Sequence, residues 1–150
     1  MTTKKKIILL TNLIIGCGAI LFAVNEYNRK PAAVKNSTPA FVLTAKELIR
    51  EYSSQQNTAN HKYLGQTVQV SGKINAIDRS NPKNVAIVLG EDGSSASIRC
   101  SMDIESMTGV GTIKEQDSIC IKGICTGYIP DDMGLGSDII LNKSIIHANN

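Results

Sequence analysis

Cysteine thiols are the side chains of this 150-residue chain best suited to chemistry, and two of its four cysteines share one apolar stretch, SICIKGICTGY at 118–128. Thiolates bind zinc, form disulfides or carry redox chemistry, and each role demands a geometry. On an extended strand, Cys120 and Cys125 stand about 16 Å apart on opposite faces. A disulfide needs Cα atoms within about 7 Å, and a shared zinc needs both thiolates on one ion. The C-x-x-C spacing of redox motifs is also absent. Parity offers another pair. Cys125 shares a face with Ile119 and Ile121, and Cys100 shares one with Ile98 and Met102. If both faces point into a barrel, a Cys100–Cys125 disulfide stands beside a second reading, in which both are reduced, buried thiols acting as small apolar residues. Regular parity puts Cys120 on the outer face with Lys122, and a bulge at Gly123 would reverse the assignments beyond it.

The other polar candidates are weaker. Asp131, Asp132 and Asp138 surround a glycine-containing loop and offer the oxygen ligands a hard cation needs. Their spacing fits no EF-hand, and a solvated acidic loop explains them as well. His61 and His147 belong to no triad or ligand motif and read as surface residues. Ser71 and Ser118 lack a paired base. Gly134 and Gly136 lie in GLGS, which has neither the Walker lysine nor the Rossmann spacing. No catalytic constellation, metal site or cofactor is expected, and the chain does not read as an enzyme.

The elements that carry these residues follow from periodicity. TAKELIREYSSQQ begins with a Thr44-x-x-Glu47 capping box. Ala45, Leu48, Ile49 and Tyr52 then form one helical stripe, with Phe41 or Leu43 as the staple ahead of the cap. NTANHKYLG predicts a further short turn stopped by Gly65. Beyond it the period becomes two. TVQVSGKINAID sets Val68, Val70, Ile74 and Ala76 on one face, with Gly72 marking a bulge or bend. VAIVLG, ASIRCSM, SICIKGICTGYI and DIILNKSIIHA complete five strands, separated by RSNPKN, EDGSS, a longer connection and PDDMGLGS. Val70 and Ile121 fall on the apolar parity of their strands and should be buried. One helix followed by five strands in this order predicts a mainly β, five-stranded OB-fold barrel, a closed form that removes exposed strand edges.

The N-terminus predicts membrane attachment. Residues 7–24, IILLTNLIIGCGAILFAV, carry no charge and follow Lys4, Lys5 and Lys6. As a helix this run reaches about 27 Å, enough for one crossing. The lysines place the N-terminus in the cytoplasm and the remaining chain in the periplasm, as a single-pass inner-membrane signal-anchor. Ile14-Ile15-Gly16-Cys17 also has the form of a lipobox, which makes lipidation at Cys17 the alternative, against a run that stays apolar after Cys17. A cleaved signal is the third reading, with a poor cleavage site near Ala23. The expected organisation is an anchor at 1–26, a linker at 27–40 with two prolines and no apolar period, and an OB-fold domain at 41–150.

LTAKELIREYSSQQNTANHKYLGQTVQVSGKI, followed by VAIVLG, SIRC, IKGICTGY and DIILNKSII, resembles the tRNA-anti-like family. These are small bacterial proteins with an N-terminal membrane segment and one OB-fold. The resemblance covers most of residues 41–146; KYLGQTVQVSGKI and KGICTGY are its more specific parts. It implies the fold and the anchor, and supplies no catalytic residue. Ser144 stands where members often have cysteine, and Cys120 is an additional one.

Charge limits the partners. The formal charge of +3 arises near the anchor; from residue 31 onward eleven basic residues face twelve acidic ones. Single-strand binding uses stacked aromatics in a positive groove. VAIVLG and ASIRCSM supply only Arg99, flanked by Glu91, Asp92 and Asp103, with Tyr63 and Tyr128 as stackers at the margin. The expected function is therefore a membrane-tethered binding module of the envelope, with a protein, peptide or small molecule as ligand. A nucleic-acid-binding OB-fold protein is the alternative.

Overall fold

The structure is a computed structural model that describes residues 31–147 apart from 82, 92, 104–109 and 135. The apolar run at 7–24 and Cys17 lie outside the described residues. Among those described, no helix is long and apolar enough to cross a membrane.

The described elements are α1 (Pro31–Asn36), β1 (Phe41–Thr44), α2 (Ala45–Ser54), α3 (Gln56–Tyr63), β2 (Thr67–Asp78), β3 (Ala86–Gly90), β4 (Ala96–Met102), β5 (Ser118–Ile129) and β6 (Ser137–His147). The strands form one sheet in the order β1-β2-β3-β4-β6-β5. Pairing of β2 with β5, from Thr67↔Ile124 to Lys73↔Ser118, closes five of them into a barrel. All neighbours in the barrel are antiparallel except β4 and β6, which run parallel. The expected five-stranded barrel is present, and β1 is an addition to it. β1 pairs in parallel with the first half of β2, and β3 takes the second half.

Local sequence sets the helices. Thr44 Oγ1 accepts from the Glu47 amide at 3.2 Å, while Glu47 Oε2 accepts from the Thr44 amide at 2.8 Å. This reciprocal cap satisfies two otherwise orphaned N–H groups and fixes where α2 starts. Ala45, Leu48, Ile49 and Tyr52 are buried, as the helical stripe requires. Gly65, at φ +77°, turns the chain from α3 into β2.

The barrel core has the predicted parity over most of its length. Val68, Val70, Ile74, Ile87, Leu89, Ile98, Cys100, Ile121, Cys125, Ile139 and Leu141 are fully buried. Burial of Val70 and Ile121 agrees with the alternation of their strands.

Four expectations need correction. First, a register shift falls between Ile74 and Ala76, so Ala76 is exposed and Ile77 packs toward the core. A bulge reverses the parity beyond it. Second, Gly72 is neither that bulge nor a bend. A Cβ there would sit 2.7 Å from the Ala45 Cβ, so glycine lets α2 approach the strand. Third, part of the expected linker is helical. Pro31 suits a first helical position, and Val34 of α1 is 1% exposed. Six residues are too few to display a period. Fourth, α1 packs on β5 and β6, so the outer face bearing Lys122 is covered. Cys120 on that face is accordingly buried, although it stands apart from the main core. Lys122 is 4% exposed, and its Nζ donates to the carbonyls of Lys35 at 2.9 Å and Ser37 at 3.0 Å. These carbonyls at the end of α1 have no partner within the helix, and the lysine satisfies them.

Candidate functional site

The outer surface of β3, β4 and β6 carries Arg99. Its β4 neighbours on that face are Ser97 and Ser101, Val88 lies opposite on β3, and Ile140 lies opposite on β6. None of these is aromatic. Arg99 Nη1 lies 3.7 Å from Asp78 Oδ2, and Arg99 Nε lies 3.6 Å from Asp138 Oδ2. Ser97 Oγ donates to the other Asp138 oxygen. Two carboxylates thus face one guanidinium, and the face is acidic around its only arginine. Hydrogen bonds from the Ser80 hydroxyl and amide hold the Asp78 carboxyl below its ordinary range. The sequence singled out Asp138 only as a loop carboxylate beside Asp131 and Asp132, and did not single out Asp78. The strand order contains the clue for Asp138, since a last strand beside β4 brings its opening residues against Ser97 and Arg99.

The two tyrosines expected near this face are placed elsewhere. Tyr63 is fully buried; its hydroxyl donates to Glu51 Oε2 at 2.8 Å, and its ring meets Phe41 edge to face at 4.9 Å. It is therefore not a surface stacker. Tyr128 is half-buried and stacks on Tyr52 at 5.2 Å with the planes 17° apart, which commits one ring face to the core. Phe41, Tyr63, Tyr52 and Tyr128 form a continuous aromatic run joining β1, α3, α2 and β5. Lys62 Nζ sits over the Tyr63 ring at 4.7 Å and reaches Glu51 Oε2 at 2.9 Å. Hydrogen bonding from Lys62 holds the Glu51 carboxyl below its usual value. Of the expected ligand face, only Arg99 lies on the outer surface of β4.

Cys100, Cys120 and Cys125 are free and buried. Of the two readings of Cys100 and Cys125, a bridge or reduced, buried thiols, the structure has the free thiols, and register supplies the reason. Cys100 pairs with Leu141 on one side of β6, and Cys125 pairs with Leu141 on the other. Two strand spacings of about 4.8 Å put their Cα atoms beyond the ~7 Å limit of a disulfide. Cys125 Sγ lies 3.3 Å from the Tyr52 hydroxyl oxygen instead. Burial pushes both thiols upward, for Cys125 against the opposing pull of that hydroxyl. Burial thus disfavours the thiolate form at both positions.

Among the described residues, no three His, Cys, Asp or Glu side chains converge on a point suited to a metal. His61 and His147 are exposed, on α3 and at the end of β6. Ser71 lies on β2, and Ser118 is exposed at the start of β5. No nucleophile–base pair links them.

The described surface also carries clefts. One, of about 390 Å³, lies where β1 and β3 meet along β2, with Gly72 on its floor. Lys46 and Glu91 pair across it at 3.5 Å. Another, of about 260 Å³, lies between the β3–β4 turn and the β5–β6 loop and includes Ser97, Asp131, Ser137 and Asp138. Its two loops are joined by the Ser137 amide, which donates to Ser95 O at 2.8 Å. At Gly136 a Cβ would lie 2.9 Å from that same carbonyl, and its φ is +97°, so the closure requires glycine.

Similar folds occur in solved structures. A Klebsiella pneumoniae protein described as a candidate nucleic acid-binding lipoprotein is 12% identical, with a TM-score of 0.53 over 71% of this chain and 91% of that one. Asparaginyl-tRNA synthetase of Entamoeba histolytica is 16% identical, with a TM-score of 0.46 over 75% of this chain and 25% of the enzyme. At such identities the likeness concerns the fold. No curated protein matches the chain. Matched by the tRNA_anti-like family model over residues 1–140, the chain belongs to the tRNA_anti-like family.

Proposed function

We propose that this protein is a membrane-tethered OB-fold binding module of the bacterial envelope that takes a protein, peptide or small-molecule ligand and performs no catalysis. The observation that carries this reading is the outer face of β3 and β4, where OB barrels receive ligands. Its arginine is paired with Asp78 and Asp138, and Tyr63, a stacker in the alternative reading, is inside the molecule. A single strand would meet paired carboxylates and find no ring on these strands, whereas affinity for polyanions rests on phosphate neutralisation and base stacking. The tether is residues 7–24, with the domain periplasmic.

Fluorescence anisotropy of the full chain in detergent tests the ligand class. Single-stranded DNA and RNA at physiological salt should show no saturable binding below ~100 μM, at or beyond the weak end of ordinary non-specific binders. Micromolar binding abolished by Arg99→Ala would establish the nucleic-acid reading instead. That second reading draws on the description of the Klebsiella protein, as does a lipidated rather than spanning N-terminus. Cys17→Ser separates the two modes of attachment. An anchored chain keeps its membrane attachment in this variant, and a lipoprotein loses both lipid labelling and attachment.

A further inference from the structure

We propose that α1 is a detachable strap: it lifts from the outer face of β5 and β6 while the barrel stays folded, and in lifting it uncovers a surface carrying the Lys122 ammonium, Ile145 and the Cys120 thiol. The register assembles that surface. Cys120 and Lys122 lie two residues apart on β5 and so on one face, and Ile145 of β6 stands opposite Lys122. α1 packs on these two strands. All three residues are buried, as is Val34 of α1.

The strap is joined to the domain separately from the core. Val34, Cys120 and Ile145 are buried apolar residues that stand outside the continuous core of the barrel. They form a satellite cluster whose loss leaves the contacts inside the barrel in place. The β2–β5 ladder that closes the barrel does not involve α1 either. With six residues, Pro31–Asn36, α1 is too short to persist as a helix in water by itself, so its order depends on docking.

The polar tie is Lys122 Nζ, which donates to the carbonyls of Lys35 at 2.9 Å and Ser37 at 3.0 Å. Both of these acceptors are carbonyl dipoles. Water can replace them when α1 lifts, because the ammonium then regains the hydration it gave up on burial. The segment 37–40 is the hinge, since the Ala40 amide already donates to Thr67 O at 2.8 Å, where pairing with β2 begins. A segment held by so few buried contacts opens without global unfolding.

Three cysteines distinguish opening of the strap from opening of the barrel. Cys120 lies on the outer face, while Cys100 and Cys125 belong to the core. Lifting α1 exposes the first alone.

The test is alkylation of the full native chain in detergent by N-ethylmaleimide, followed at each cysteine by peptide mass spectrometry and normalised to the rate in the urea-unfolded chain. Cys120 should react at least tenfold faster than Cys100 and Cys125. Val34→Ala removes the apolar grip of the strap and should speed Cys120 at least a further fivefold, leaving Cys100 and Cys125 unchanged. Equal rates at the three positions would overturn the inference. So would Val34→Ala failing to accelerate Cys120, or accelerating all three alike in a folded barrel. Should Val34→Ala unfold the barrel, amide hydrogen exchange in the parent chain decides the matter. Residues 35–37 should exchange at least tenfold faster than the paired amides of β2 and β5, and equal protection would mean that α1 opens only with the barrel.

Discussion

Two clusters in this molecule set a cation against carboxylate, and they are built in opposite ways. At the helical end, Lys62 lies over the Tyr63 ring, contacts Glu51 at 2.9 Å, and the Tyr63 hydroxyl occupies the same carboxylate oxygen at 2.8 Å. One cation meets one carboxylate, and a buried aromatic run stands behind them. On the outer face of β4, Arg99 meets two carboxylates at 3.6 Å and 3.7 Å, with no ring beside it. The first cluster is saturated and braces the fold. The second keeps acceptors in excess at the surface. Short, shared contacts on packed rings favour rigidity, while long contacts around surplus charge leave groups available to a partner.

The sharpest way to break this contrast is to remove the packing behind the first cluster. Tyr52→Ala should cost about 3–5 kcal/mol, because the residue is fully buried between Tyr63 and Tyr128. Urea denaturation measures it, and a loss below about 1 kcal/mol would mean that the aromatic run does not support the barrel.

A smaller effect is expected at the carboxylate itself. Glu51→Gln should cost about 0.5–1 kcal/mol near neutral pH, discounted because both partners are partly exposed. The sign with pH follows from the lowered Glu51 pKa. Its contribution is present above the unfolded value near ~4.3 and is lost as pH falls through the lower folded value. Stability measured from pH 7 down to pH 3 should therefore fall less steeply in the variant than in the parent. Equal slopes would remove Glu51 from the acid response.

The smallest effect belongs to the outer face. Arg99→Ala should change stability by less than about 0.5 kcal/mol, since its ion pairs are long and about half-exposed. A loss above 2 kcal/mol would show that this cluster, too, is structural and would erase the distinction.

Much of this was legible before any coordinates. The capping box named the start of α2, and the stripe Ala45-Leu48-Ile49-Tyr52 named its buried face, because both depend on contacts within four residues. Alternation in ASIRCSM named Ile98, Cys100 and Met102 as core and Arg99 as outer. It failed at Ala76, where a bulge that no residue type announces reverses the faces. It also misjudged Cys120 and Lys122, since parity says which side of a strand a residue takes and not whether another element covers that side. For the candidate ligand face, Arg99 was found and its carboxylate partners were missed, because Asp78, Arg99 and Asp138 lie on three different strands.

The sequence by itself determined local elements, their inward faces, their order and a near-neutral charge balance from residue 31 onward. Those properties follow from spacing, composition and short-range hydrogen bonds. Tertiary structure alone decided which residues became neighbours. Leu141 between Cys100 and Cys125 excludes their bridge, α1 closes over Lys122, and Tyr63 turns inward to Glu51 rather than outward to a ligand. Each of these depends on strand pairing and helix docking between segments far apart in the chain, where distance in space is set by the closed sheet and leaves no periodic trace in the sequence.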